Sequence, residues 1–225
     1  MESFATVTGV AVPYLADDVN TDEITPMYRS LEPDFGALLF SRRRLLANGE
    51  LDPDFPLNQP QFAGATILVA GRNFGCGSSR ESAVWAMLAV GIKVIIARSF
   101  SDLYRDNCLK NGLLTVVLAT ADAAAFEADV VTANGRAAAT ADLVAQTITA
   151  PSGRSFAFEI DVAERTALLE GLDDIGITLR ESDAIAIFES RLEAERPWLQ
   201  TIAGRAKRAV TVAAGKTTNS EERGA

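Results

Sequence analysis

A chain of 225 residues with 48% hydrophobic content and charges of both signs has the make-up of a soluble globular protein able to bury a core of its own. Its 30 acidic against 21 basic residues leave a formal charge of −9, which argues against a nucleic-acid partner, because neutralising phosphates takes clustered Lys and Arg. There is no histidine, and the two cysteines form neither a CxxC nor a ligand set, so this chain alone excludes a Ser-His-Asp triad, a Cys-His dyad and a His-based zinc site.

The one basic run, Arg42-Arg43-Arg44, is short and reads as a solvated face. No window reaches the ~20 apolar residues of a membrane span, and Met1-Glu2-Ser3-Phe4 lacks the positive n-region of a signal peptide. The expectation is a cytoplasmic protein with no membrane partner, in which Cys76 and Cys108 stay unbridged.

In chain order, residues 4–14 alternate apolar and small side chains and predict a strand. Residues 17–26, from Asp17 through Thr21, Asp22 and Glu23 to Pro26, carry turn chemistry and clustered acids and predict a solvated loop. Residues 27–35 continue as irregular chain with Tyr28 and Arg29. A short helix suits 36–46, and Pro53, Pro56 and Pro60 make 51–62 a loop. The apolar run 65–70 predicts a buried strand and 82–90 a helix with an apolar face. Then come a strand at 92–97, Ser99 as cap of a helix over 100–111, Asn111-Gly112 as its stop, and a strand at 113–118. Strand–helix–strand–helix–strand with short connections is βαβαβ, so the expected class is α/β with a parallel sheet and right-handed crossovers.

Residues 119–149 are alanine-rich and weakly patterned, a helix followed by strands around 142–149. An alternating strand at 155–160, a helix at 162–172 stopped near Gly171 and another at 183–192 follow. From 201 onward Gly, Ala, Thr, Ser and charge mix without apolar period, which predicts a mobile tail.

The chemistry concentrates between the strand at 65–70 and its helix, in Gly71-Arg72-Asn73-Phe74-Gly75-Cys76-Gly77-Ser78-Ser79-Arg80-Glu81. Glycines let the backbone turn sharply and approach a ligand closely. Strand, glycine turn and helix N-terminus together make an anion site, because unpaired N–H groups and the helix dipole point outward there. Arg80 adds a fork suited to a carboxylate; a cation in a first helical turn opposes the dipole and is better explained by a bound anion or a neighbouring carboxylate. The stretch is not a Walker A loop, since Gly77 is followed directly by Ser78, nor a dinucleotide fingerprint, whose third glycine position holds Arg80. A G-x-S-x-G elbow is absent. Two readings of Ser78 stand open at this point: helix cap, at capping-box spacing from Glu81, or catalytic group. Cys76 reads as a small packing residue.

The run from Asn73 to Glu81 resembles the signature of the swivelling domain of the aconitase superfamily, in the Phe-Gly-Cys version of the 3-isopropylmalate dehydratase small-subunit family. Three further segments resemble that family in the same order: Asn20-Thr21-Asp22-Glu23-Ile24-Thr25-Pro26, the stretch from Ala97 to Leu114, and Gly171 to Leu179 with Pro197-Trp198 after it. The likeness covers roughly residues 3–199, and implies one swivelling β/β/α domain over 1–199, with a parallel βαβαβ core plus additional strands, and a tail over 200–225. It also implies a hydro-lyase that moves water between neighbouring carbons of a small hydroxy-dicarboxylate, active only with a large subunit. The [4Fe–4S] cluster belongs to that larger partner, and no metal binds this chain. By motif position, Ser78 is the base that takes the proton from carbon. Arg80 holds a substrate carboxylate, Ser79 assists, and Asp22 lies on the rim facing the partner. Two departures stand out. Ser82 replaces the family's usual His, and residues 27–31, in the loop that reads the substrate's side group, differ from the usual bacterial pattern. Arg29 there either contacts a second carboxylate or is solvated. A methyl- or dimethyl-malate type hydratase is the alternative with the same chemistry, and a non-catalytic carboxylate-binding scaffold the alternative of another class.

Overall fold

The computed structural model describes residues 1–28, 31–196 and 198. Two compact units divide the chain, Met1–Asp174 and a second that begins at Ile175. The tail expected over 200–225 and Arg29, expected either to contact a second carboxylate or to be solvated, lie outside the described residues.

The first unit is built on two four-stranded sheets. Residues 4–14 do not form the single strand expected of them. They form β1 (Thr6–Gly9) and β2 (Ala11–Tyr14), which enter different sheets, and the Val10 carbonyl between them accepts from both Thr66 N (3.2 Å) and Ile67 N (3.3 Å). After β2 come three four-residue helical turns: α1 (Thr21–Ile24), α2 (Phe35–Leu38) and α3 (Ser41–Arg44). The short helix expected over 36–46 is thus broken into two, at Phe40, which sits at φ 50. The acidic loop is likewise partly helical, because the Asn20 side chain caps α1 by accepting from Glu23 N at 2.8 Å. The proline-rich stretch contains two 3₁₀ turns, Pro56–Asn58 and Pro60–Phe62, each opened by its proline, whose missing N–H costs nothing there.

The βαβαβ unit then runs β3 (Ile67–Ala70), α4 (Glu81–Ala89), β4 (Val94–Ala97), α5 (Asp102–Lys110), β5 (Leu114–Val117). Strand order β2-β3-β4-β5 is parallel throughout, as the sequence predicts, with Pro13 on the edge strand where it breaks no ladder. β3 and β4 are buried on both sides, and their alternation divides the core into two layers. Leu68, Ala70, Ile95 and Ala97 face a cluster with Met87 of α4 and Tyr104 and Cys108 of α5. Ile67, Val69, Val94 and Ile96 face the other, which holds Phe126, Val130, Ile148, Phe156 and Leu168.

That second layer comes from the weakly patterned stretch: α6 (Thr120–Ala133), then β6 (Ala139–Asp142), β7 (Thr147–Thr149), β8 (Ser155–Ala157) and α7 (Val162–Glu170). These strands join β1 in an antiparallel sheet ordered β1-β6-β7-β8. Gly171 ends α7 in the left-handed conformation, the stop expected of it. α8 (Asp174–Arg180), which the sequence does not announce, starts one residue before the second unit begins, and α9 (Ser182–Glu195), within that unit, is longer than the helix expected over 183–192. Among the described residues no helix is long and apolar enough to cross a membrane.

Candidate active-site loop

The glycine stretch leaves the C-terminal end of β3, where loops of a parallel sheet gather. It runs between two neighbours like a short central strand. On one side Phe74 N donates to Ser99 O and Ser101 N to Phe74 O, both at 3.0 Å. On the other, Gly75 N donates to Val19 O (2.8 Å) and Thr21 N to Cys76 O (2.9 Å). Side chains reinforce both seams. Ser99 Oγ accepts from Asn73 N at 2.8 Å, and Asn73 Nδ2 donates to Asp18 Oδ1 at 2.8 Å. Ser99 is therefore not the cap of α5, as the sequence suggests; α5 starts after Ser101, and the Ser99 hydroxyl belongs to the loop.

Underneath, Phe74 is fully buried and meets Tyr104 edge-on at 5.7 Å between ring centroids. Gly75 has φ +76, and a Cβ there would sit 2.2 Å from Tyr104 Cγ, so only glycine fits. Gly77, at φ +93, then turns the chain outward. The result is a platform fixed to the core up to Cys76, followed by an exposed tip.

That tip carries the predicted site residues. Ser78 and Ser79 are exposed and Arg80 is partly so. The expected capping box is not formed: α4 begins at Glu81, its N-cap position is Arg80, and no side chain caps it. The reason is that Thr21 Oγ1 donates to Ser78 O at 2.7 Å, tying residue 78 to α1 rather than to the helix. Ser78 Oγ has no hydrogen-bond partner among the described residues, and that leaves its hydroxyl unused and open to solvent. Arg80 Nη2 lies 2.7 Å from Asp22 Oδ1, so the carboxylate that a first-turn arginine called for is supplied by the acidic loop. Ser79 Oγ accepts from Asn107 Nδ2 at 2.9 Å. The structure thus brings Ser78, Ser79, Arg80 and Asp22 together.

Thr21, Asn20, Ser99 and Asn107, which hold these groups, were not identified as site residues from the sequence. Asn107 had a signal, four residues before Asn111 on a helix whose other face is apolar. The thiols play no such part: Cys108 is fully buried, and burial pushes its pKa far up. Cys76 donates to Asp18 O at 3.3 Å, with its pKa raised by burial and then by Asp18's charge, the opposite of an activated nucleophile. No group of three or more His, Cys, Asp or Glu among the described residues can hold a metal ion. A cleft of about 510 Å³ lies beyond the ends of β4 and β5, lined by Arg72 and Arg98 among others. Those cations already face Asp17 and Glu127, which leaves the cleft little pull on an anion.

A two-sheet α/β fold with this loop at the end of its parallel sheet defines the class: an aconitase-type swivelling domain. The family described as Aconitase C-terminal domain matches residues 1–121, and the one described as LeuD_N matches 128–161. The C-terminal domain of the 3-isopropylmalate dehydratase small subunit matches 174–202. The chain belongs to the 3-isopropylmalate dehydratase small-subunit family. A relative of that name from Sinorhizobium fredii is 45% identical over 201 residues, covering 88% of this chain and 100% of the relative. One from Xanthobacter autotrophicus is 45% identical over 202 residues, with the same coverage. The crystal structure of a 3-isopropylmalate dehydratase from Methanocaldococcus jannaschii superposes with a TM-score of 0.58 at 25% identity, covering 82% of this chain and 99% of that one.

Proposed function

We propose that this chain is the small subunit of a two-subunit hydro-lyase that interconverts 2-isopropylmalate and 3-isopropylmalate in leucine biosynthesis, in the cytoplasm. The observation that carries the reading is the exposed Ser78 hydroxyl, without a hydrogen-bond partner among the described residues and two residues from Arg80, on a loop clamped to the core. Serine is far too weak a base when free. Here it lies just ahead of the α4 N-terminus, whose N–H groups and dipole, with Arg80, favour an alkoxide. In that state Ser78 takes the proton from carbon and the hydroxyl on the adjacent carbon departs as hydroxide, the two together being the one water lost, and water returns with the two positions exchanged. Arg80 and Ser79 hold a substrate carboxylate, and Asp22 keeps the guanidinium aligned until one arrives. Arg29 is proposed as a further carboxylate contact.

A [4Fe–4S] cluster on the large subunit would supply the Lewis acid for hydroxyl departure. Supporting that placement is the poor fit of this chain's own thiols, one buried and one turned into a carbonyl. Residues 1–199 are proposed as the swivelling domain, with 200–225 appended to it.

The test is co-expression with the cluster-bearing partner and assay on isopropyl-, methyl- and dimethyl-malates. Turnover should be fastest on the isopropyl substrate, and Ser78→Ala should lower kcat about a thousandfold with the melting temperature nearly unchanged. Turnover that survives Ser78→Ala would remove the serine base. A preference for a smaller malate would keep the chemistry and change the substrate.

A further inference from the structure

The tip between Gly77 and Arg80 is gripped from two sides. One grip is α1, through Thr21 to the Ser78 carbonyl and Asp22 to Arg80. The other is α5. Asn107 donates to Ser79 Oγ at 2.9 Å, and Asn111, one turn on, donates to Glu81 Oε1 (3.1 Å) and accepts from Trp85 Nε1 (3.1 Å). The two asparagines are themselves joined, since the Asn107 carbonyl accepts from Asn111 N at 3.2 Å and from Asn111 Nδ2 at 2.9 Å. The register of α5 is not free to drift, because Tyr104 and Cys108, flanking Asn107, are buried in the core and Tyr104 lies against Gly75.

A serine oxygen carries one proton and accepts through its lone pairs. An amide N–H aimed at Ser79 Oγ occupies one lone pair, and the Ser79 proton must then find an acceptor elsewhere. Ser79 is exposed, so that direction is outward. We infer that Asn107 is a positioning residue: by donating to Ser79 it turns that hydroxyl into an outward hydrogen-bond donor for the anionic group at the Ser78–Arg80 tip. The inference rests on the proposed function of this tip. Asn107 itself touches neither substrate nor reacting atoms. It acts through Ser79.

The experiment uses the assembled two-subunit enzyme. Asn107→Asp keeps the shape but replaces the donor by an anionic acceptor, so the Ser79 proton turns back toward residue 107 and a negative charge enters beside the base. Its kcat should fall about ten- to a hundredfold with a smaller change in KM, and the alkaline-side rise of the pH–rate profile should move to higher pH, because a nearby anion disfavours an alkoxide. Asn107→Leu, which removes the donor without adding charge, should lose less and leave the profile in place, and Asn107→Gln should recover part of the rate. In a Ser79→Ala background Asn107→Leu should change kcat by less than about twofold, as expected of residues acting in series, while Asn107→Asp should keep only the part of its loss that moves the pH–rate profile. The inference is overturned if both single variants match the parent, if the Asn107→Leu loss persists in the Ser79→Ala background, or if rate simply tracks melting temperature. Ser78→Ala separates this failure from a deeper one. Retained turnover removes the base and this inference together, whereas abolished turnover beside indifferent Asn107 variants removes the inference alone.

Discussion

Arginines of the scaffold and the arginine of the loop tip are treated differently by the fold. Arg98 meets Glu127 through two hydrogen bonds of 2.8 and 2.5 Å, and Arg105 meets Glu164 through two of 2.9 and 2.6 Å. Arg154 holds both oxygens of Asp129, at 2.9 and 2.6 Å, and also donates to the Ala125 carbonyl. These forks tie α6 to the loops after β4 and before β8, and α7 to α5. Partly exposed pairs add little stability each, but a two-point fork fixes orientation. Arg80 has a single carboxylate oxygen at 2.7 Å, and beside it Ser78 Oγ has no partner among the described residues. Where those three arginines are each held to one carboxylate at two points, the tip keeps a hydroxyl open among the described residues beside its arginine. Unused hydrogen-bonding capacity on a rigid platform is what sets a site apart from a strut.

The sharpest way to break this contrast is at Arg80. Under the proposed function, Arg80→Ala should lower kcat/KM by about ten- to a hundredfold, since a charge-assisted fork to a carboxylate contributes roughly 1.5–3 kcal/mol. Arg80→Lys should recover only part, because an ammonium cannot fork. A steady-state assay on the assembled enzyme reads both, and wild-type kinetics in Arg80→Ala would make Arg80 one more strut.

The rigidity of the platform is tested next. Gly75→Ala places a methyl group into the Tyr104 ring and strains a φ of +76, so denaturant unfolding should show a loss of about 2–5 kcal/mol. Gly77→Ala strains φ +93 but meets nothing nearer than Asn20 Cβ at 3.6 Å, so it should lose only about 1–2 kcal/mol. Equal losses would mean that the platform ends later than Cys76.

The smallest effect belongs to a scaffold fork. Hydrogen bonds from Arg154, and then from Ser152, hold the Asp129 carboxyl below the usual carboxylate range. A carboxyl with a depressed folded pKa stabilises the fold above its unfolded value, and that stabilisation is lost as pH falls through the folded value. Arg154→Ala should therefore lower the melting temperature at neutral pH, and the gap to wild type should close below about pH 4. A gap that is unchanged at pH 3 would assign Arg154 a packing role only.

How much of this was legible beforehand varies by region. The parallel unit could be read because β3, β4 and β5 are apolar runs bounded by turns, and local pattern suffices for strands buried on both faces. Ser78, Ser79, Arg80 and Asp22 could be put forward as candidates because their types and order carry a family's signature. The antiparallel layer was faint, since β7 and β8 are three residues each and α6 is alanine-rich with few large apolar residues. Elements that short owe their existence to the core they cover. The role of Asn107 was unreadable as a contact, because its partner is 28 positions away.

Sequence by itself determined that residues 65–118 alternate strand and helix, that a glycine turn precedes α4, and that serine and arginine stand at its tip. Only the tertiary structure decided that residues 4–14 serve two sheets, that Ser99 braces a loop instead of capping α5, and that the Ser78 hydroxyl finds no hydrogen-bond partner among the described residues. The reason is common to all three. A cap or a strand is offered by local residue order, but its hydrogen bonds go to whichever partner the packed chain brings closest, and here those partners, Asn73 for Ser99 and Thr21 for the Ser78 carbonyl, come from other loops.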